Sequence, residues 1–326
     1  MSKSKLYPLK FIPIYKEKIW GGTKVQEYKG VTLDTSMVGE SWEISSMEED
    51  VSVVSEGNLK GKNINDLIQV YGSELLGDSV FKKYGSSFPL LVKVIYAGDD
   101  LSIQVHPDDS FAQTKHQSKG KTEMWYILET EPGAFICKGW NKDISPDKLK
   151  EILKTDSLIS YLNKYEVNPG DAFYLPAGKV HTIGRGCLLL EIQEASDITY
   201  RLYDYNRKDS KGNLRDLHID DAIEVLDYSA EAFAPSHIDS KNKLPILSEY
   251  FRIEVLHFQG MTLLPVKGRD SFTILFCISG KISIKTDAGN TDLHQGETLL
   301  IPASIEECIL TPDGRASIIE CFVPCY

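Results

Sequence analysis

The sequence predicts an all-β dominated fold, two barrel-like units with a few added helices, on three observations. Short β-rich runs recur along the chain, bounded by Gly, Pro, Asn or Asp, the punctuation of a sandwich or barrel. Helical spacing is confined to three segments. A Gly-x5-Pro turn occurs twice, 126 residues apart, and each copy follows two strand-like runs joined at a glycine.

Strands are expected at 51–55, 89–96, 124–128, 134–137, 172–175, 188–192, 251–258, 271–278, 281–285, 298–301 and 317–322. Ile64, Leu67, Ile68 and Tyr71 fall at i, i+3, i+4 and i+7 behind Asn63 as a cap, which predicts one amphipathic helix. Ser145, Pro146 and Asp147 supply a cap, a proline at the first helical position and an early acid for a second, running through Leu149, Ile152 and Leu153. A third runs through Ile219, Ile223 and Leu226. Between Glu231 and Pro245 the chain turns polar and irregular, which places the join between a unit of residues 1–235 and one of residues 236–326. With 326 residues, 42% of them hydrophobic, the chain can fill two cores.

Forty-seven acidic residues against 36 basic ones give a net charge of -11, which sets the long-range field against nucleic acid. An anionic ligand then needs local Lys and Arg. The chain opens without an apolar stretch of signal-peptide length, and nowhere do about 18 uncharged apolar residues run together. The expectation is a soluble cytoplasmic protein with no membrane partner. Six cysteines (Cys137, Cys187, Cys277, Cys308, Cys321 and Cys325) lack Cys-x-x-Cys spacing, so neither a disulfide framework nor a thiolate metal site is expected.

The repeat is Gly170-x5-Pro176-x4-His181 in the first half and Gly296-x5-Pro302-x4-Glu307 in the second. Gly-x5-Pro-x4-His resembles the second half of the cupin signature, in which a small jelly roll turns at Gly and Pro and points the histidine into the barrel. The resemblance implies two cupin-type β-barrels. Because Glu307 replaces the histidine and no His-x-His lies upstream of it, only the first barrel is expected to hold a metal.

Upstream of His181, Gln104 and His106 are two apart, so a strand would aim both side chains at one face. Glu123 opens the next strand-like run. Two imidazoles, a carboxylate and an amide oxygen form a borderline N/O donor set that suits zinc and also accepts Fe, Mn, Co or Ni. The other five histidines (His116, His218, His237, His257 and His294) have no such company and read as surface or packing residues.

The segments LSIQVHPDD, GKTEMW, AGKVHTI and LEIQEASDITYR resemble, in order and spacing, the active-site blocks of the type I mannose-6-phosphate isomerases, particularly their short bacterial form; IWGG and GESWEIS near the N-terminus are similar too. The resemblance implies a bicupin with one Zn2+ per chain that interconverts mannose 6-phosphate and fructose 6-phosphate. Its metal ligands fall on Gln104, His106, Glu123 and His181, with Gln104 either ligating or supporting the ligands. Its catalytic arginine falls on Arg201, its active-site lysine on Lys121 and a further carboxylate on Glu191. Ser102 and Arg207 are candidates for the phosphate, Arg207 having a solvated surface role as its alternative. Trp20 and Glu40 either line the cavity or are core and turn residues. The partner expected is a small phosphorylated hexose, and the chain acts as a monomer or homodimer.

These residue types suit the chemistry. Moving a carbonyl between C1 and C2 takes a proton from carbon and passes through an enediol whose negative charge is costly. A divalent cation stabilises that charge, and the permanently charged Arg201 adds a fixed positive field. Lys121 or Glu191 would transfer protons, and the sequence leaves the choice open. Two other classes compete: an iron oxygenase using the same ligands, which would not need Arg201 with Lys121, and a sugar-phosphate sensor, which would need no proton-transfer group.

Overall fold

The computed structural model describes residues 4–155, 157–208, 211–231, 236–237 and 246–325, the side chains of 236 and 237 excepted. Strand Leu90–Tyr96 shows how its architecture arises. Leu90, Val92, Val94 and Tyr96 enter one apolar core, while Ile95 enters a second core on the opposite face, where Lys93 also points. A strand buried on both faces reads as a nearly continuous apolar run, and the period of two appears only in which core each residue joins.

Leu90–Tyr96 lies third in a seven-stranded antiparallel sheet of order Ile14–Gly22, Val38–Ile44, Leu90–Tyr96, Cys187–Glu194, Glu123–Thr130, Asp171–Leu175 and Ser236–His237. Facing it is a five-stranded sheet of Tyr200–Tyr203, Ile103–Val105, His181–Ile183, Phe135–Trp140 and Leu162–Glu166. Trp20, Trp125 and Phe173 from the first sheet meet Ile136 and Ile183 from the second between them. Helices Pro146–Ile152 and Ile219–Val225 cover the outer face of the five-stranded sheet.

A second sandwich follows. Ile246–Leu247, Arg252–Phe258, Ala316–Phe322, Thr273–Ser279 and Thr298–Ile301 form one sheet, and Thr262–Leu264, Cys308–Pro312, Lys281–Thr286 and Gly289–His294 the other. The two sandwiches share a further apolar core, in which Val92, Leu190 and Ile192 meet Phe251, Ile253, Phe276 and Ile319. Helices Ile64–Tyr71, Ser73–Leu76 and Asp78–Tyr84 contribute to the same core.

All three expected helices form, with Asn63 accepting from Asp66 N at 2.8 Å and Ser145 from Lys148 N at 3.1 Å as caps. The repeat is real in three dimensions. Gly170 N donates to Ile127 O and Gly296 N to Cys277 O, each at 2.9 Å, and both glycines have positive φ (98° and 76°). The same turn follows each proline, Lys179 N to Pro176 O and Ile305 N to Pro302 O.

The all-β fold expected is present as two pairs of facing sheets; among the described residues no sheet closes on itself into a barrel, and the chain crosses between facing sheets at Gly133 and Gly280, where φ is positive. Residues 51–55, expected as a strand, make only two isolated bridges, Val54 to Phe11 and Val53 to Asn63. The expected join, and the boundary after residue 235, fall largely outside the described residues; Ser236–His237 pairs with Asp171 and Ala172. All six cysteines are free thiols. Among the described residues no helix is long and apolar enough to cross a membrane.

Candidate metal centre and cavity

Antiparallel pairing sets Gln104 opposite His181 on one side and Arg201 on the other, so three distant sequence blocks meet across three short strands. His106 follows directly after the first of these strands. Glu123 begins a strand of the facing sheet and points inward. The result is a buried group of His106, Glu123 and His181 whose ligand atoms lie within 4.8 Å of one another.

The two Nε2 atoms are 3.2 Å apart, His106 Nε2 is 3.5 Å from Glu123 Oε2, and His181 Nε2 is 3.4 Å from Glu123 Oε1. Each Nδ1 lies 2.8 Å from a backbone carbonyl, Ile198 O for His106 and Lys179 O for His181. A ring that donates through Nδ1 keeps the Nε2 lone pair for a cation, the usual arrangement of a metal-bound imidazole. Both Glu123 oxygens are buried without a hydrogen-bond partner, an expensive condition unless an ion completes them. Metal bonds of about 2.0–2.2 Å leave ligand-to-ligand separations of roughly 3–3.5 Å, so a divalent ion fits this set.

The electrostatics agree. Burial, with the Lys121 charge next, holds His106 well below the usual imidazole range, and burial brings His181 to about 4. Burial first, then the neighbouring Glu191 charge, pushes the Glu123 carboxyl up. A cation among these three would favour the states ligation needs, neutral imidazoles and a charged carboxylate.

Gln104 Nε2 lies 3.5 Å from His106 Nε2 and 3.4 Å from His181 Nε2, and its oxygen accepts from Ser102 Oγ at 3.0 Å. To ligate, the amide must turn its oxygen inward. Lys121 Nζ is 3.3 Å from His106 Nε2 and 3.4 Å from Glu123 Oε2.

Gln104 and Lys121 connect this group to a cavity of about 320 Å³, also lined by Trp20, Glu40, Ser102, Glu191 and Arg201. Seven residues singled out in the sequence therefore share one space. Glu191 accepts from Lys93 Nζ at 3.0 Å and Trp125 Nε1 at 2.9 Å. Against burial, which raises it, Lys93, Lys121 and these two hydrogen bonds hold the Glu191 carboxyl low. Glu40 is likewise held low against burial by Lys93 and Lys18, and it accepts from Trp42 Nε1 at 2.7 Å. Arg201 is lowered by burial and then by the adjacent Arg215 charge, and its Nε is buried without a hydrogen-bond partner.

Arg207 stands apart. Its guanidinium is held by Asp204 at 2.6 Å and Asp99 at 3.3 Å, and it does not line the cavity. Arg215 does, as do Lys16, Lys18, Lys93 and Trp42, none of which the sequence reading named. Lys93 left a usable signal, a lone charge inside the apolar run Leu90–Tyr96. Lys16, Lys18 and Trp20 stand two apart, as do Glu40 and Trp42, the period of an inward strand face bearing polar side chains.

Comparisons with known proteins bear on this arrangement. Residues 8–132 match the family model described as phosphomannose isomerase type I, catalytic domain, and residues 240–323 that of mannose-6-phosphate isomerase, cupin domain. The chain is 35% identical over 322 residues to mannose-6-phosphate isomerase ManA of Bacillus subtilis, covering 97% of this chain and 98% of that protein. It is 33% identical over 307 residues to the mannose-6-phosphate isomerase of Streptococcus mutans, covering 93% and 94%. A crystal structure of the mannose 6-phosphate isomerase from Bacillus subtilis superimposes with a TM-score of 0.83 at 30% identity, covering 96% of this chain and 99% of that one.

Proposed function

The chain belongs to the type I phosphomannose isomerases, aldose-ketose isomerases, and from that premise we propose that it interconverts mannose 6-phosphate and fructose 6-phosphate through an enediol, with one zinc ion at His106, Glu123 and His181. The observation that carries this reading is the junction of a ligand group and a cationic cavity. Lys16, Lys18, Lys93, Lys121, Arg201 and Arg215 line it against Glu40, Asp50, Glu191 and Asp197, six cations to four anions in a chain of net charge -11. A local excess of positive charge within a negative protein suits a phosphate dianion.

His106, Glu123 and His181 would hold the zinc ion, with Gln104 as a further donor were its amide to turn, and the bound ion would supply positive charge for the negative charge that develops on the sugar. The protein's own groups do the rest. Arg201, charged and half-buried, provides a fixed field for negative charge developing at C1 and C2. Glu191 has both oxygens occupied by Lys93 and Trp125 and is held ionised, so it serves as an anchor for these groups and has little affinity for a substrate proton. Lys121, lining the cavity and touching His106 and Glu123, is the better placed to move the proton. Arg215 with Lys16 and Lys18 receives the phosphate, Ser102 steadies the Gln104 amide, and Trp20 and Glu40 shape the wall.

Stripping the protein of metal and restoring single ions, with fructose 6-phosphate formation from mannose 6-phosphate as the assay, tests the proposal. Activity should vanish and return with zinc. Full turnover in metal-free protein would overturn it.

A further inference from the structure

The repeated turn of the C-terminal sandwich has work that the metal chemistry does not account for. Lys29 Nζ donates to the carbonyl of Gly296, the glycine that opens the second copy of the motif. A Cβ at position 296 would approach Lys29 Cγ to 3.0 Å, so the lysine packs where a side chain is missing. Lys29 also pairs with Glu43 at 2.7 Å, and both side chains are nearly withdrawn from water, at 5% and 2% exposure. Glu43 accepts from Ser41 Oγ at 2.6 Å and, across the seam between sandwiches, from Thr298 Oγ1 at 3.3 Å.

Glu43 occupies an irregularity in strand Val38–Ile44. Trp42 pairs with Lys93 and Ile44 with Val92, so Glu43 is passed over in the ladder. Bulges of this kind re-aim neighbouring side chains. Immediately before it, Glu40 and Trp42 face the cavity, and the ammonium groups of Lys16 and Lys93 both lie over the Trp42 ring, at 5.1 and 5.2 Å from its centroid. Joining two apolar faces needs no buried ion pair, and an apolar pair of similar volume often serves stability as well or better. A retained pair at a bulge points to geometry.

We propose that the Lys29–Glu43 pair, gripped by Gly296 and Thr298, is a positioning device through which the C-terminal sandwich sets the bulge and thereby aims Trp42 and Glu40 into the cavity. Lys29, Glu43 and Thr298 act through Trp42 and touch no substrate. The kinetic part of this inference rests on the isomerase reading.

Glu43→Gln, Thr298→Val and Thr298→Ser, in the full-length metal-loaded protein, test it. Labelling with 5-fluorotryptophan gives one 19F resonance for each of the four tryptophans, and Trp42→Phe assigns that of Trp42. The Trp42 resonance should shift in Glu43→Gln and Thr298→Val and return toward wild type in Thr298→Ser. The KM for mannose 6-phosphate should rise about three- to tenfold in the first two, with metal content unchanged and a smaller effect on kcat. An unmoved Trp42 resonance in both variants would overturn the proposal, as would a shifted resonance with wild-type kcat and KM, which would reduce the pair to a stabilising contact. Wild-type protein that fails to convert mannose 6-phosphate would sink the isomerase reading instead, while the resonance still decides whether the seam positions Trp42.

Discussion

Lys93 Nζ lies 3.0 Å from Glu191 Oε1 across adjacent strands, with the two side chains 7% and 4% exposed. Breaking a buried pair from one side strands the other charge. Lys93→Met should therefore cost about 3–5 kcal/mol of stability, read by denaturant unfolding. It should also lower kcat, because Glu191 would lose the largest of the charges that hold it low and one of its two anchors beside the cavity.

Removing a ligand separates metal binding from folding. In His181→Ala most of the bound zinc should be lost while the circular dichroism of the sheets persists, because the core between the facing sheets does not depend on the imidazole. Unchanged zinc by elemental analysis would refute the assignment.

Arg201→Ala should keep its metal and lose roughly two to four orders of magnitude in kcat, the range for one electrostatic stabiliser plus positioning. Near-normal kcat would take Arg201 out of the mechanism.

Arg207 and Arg215 divide the phosphate question. Arg215 lines the cavity and reaches Asp204 at 3.4 Å, whereas Arg207, held by Asp204 at 2.6 Å and Asp99 at 3.3 Å, does not line it. Arg215→Ala should raise KM for mannose 6-phosphate about tenfold or more, the loss of one charged contact, with kcat less affected. Arg207→Ala should chiefly lower thermal stability. The reverse pattern in steady-state kinetics would return Arg207 to the phosphate.

Glu194, which neither belongs to the ligand group nor lines the cavity, offers a pH test. It accepts from Thr122 N at 2.8 Å, and burial first, with Asp109 adding to it, pushes its carboxyl up to about 8. Between an ordinary carboxylate pKa and that value the native state holds a proton that the unfolded chain has released, so stability falls as pH rises through this window. Glu194→Gln should match wild type near pH 4, retain the bond from Thr122, and be the more stable protein near pH 9 by an amount on the order of a few kcal/mol. Parallel melting curves at both pH values for the two proteins would contradict this.

The sequence was most legible where apolar alternation and turn chemistry coincide. Cys187–Glu194 is legible through its apolar face of Leu188, Leu190 and Ile192, even though Glu191 on the other face enters the cavity, Thr298–Ile301 through its run of buried apolar residues, and the cap at Ser145 marks its helix plainly. Strands Ile14–Gly22 and Val38–Ile44 escaped notice because their inward residues include Lys16, Lys18, Glu40 and Trp42. A polar cavity inverts the pattern by which a buried face is recognised. Helix Asp109–His116 escaped for a related reason, burying only Ala112 and offering no apolar stripe. The ligand group was readable from His181 and the two-residue spacing of Gln104 and His106, whereas Arg215 has no local signal, its place being set by the path of the chain after Asp204.

The core shared by the two sandwiches constrains how this protein is made. Val92, Leu190 and Ile192 emerge from the ribosome well before Ile319, Cys321 and Val323, which complete the same core. Until those late residues arrive, the metal-binding half carries a bare oily flank, so it matures only after translation has passed them. A nascent chain stalled before that point is the species most exposed to aggregation and most in need of a chaperone.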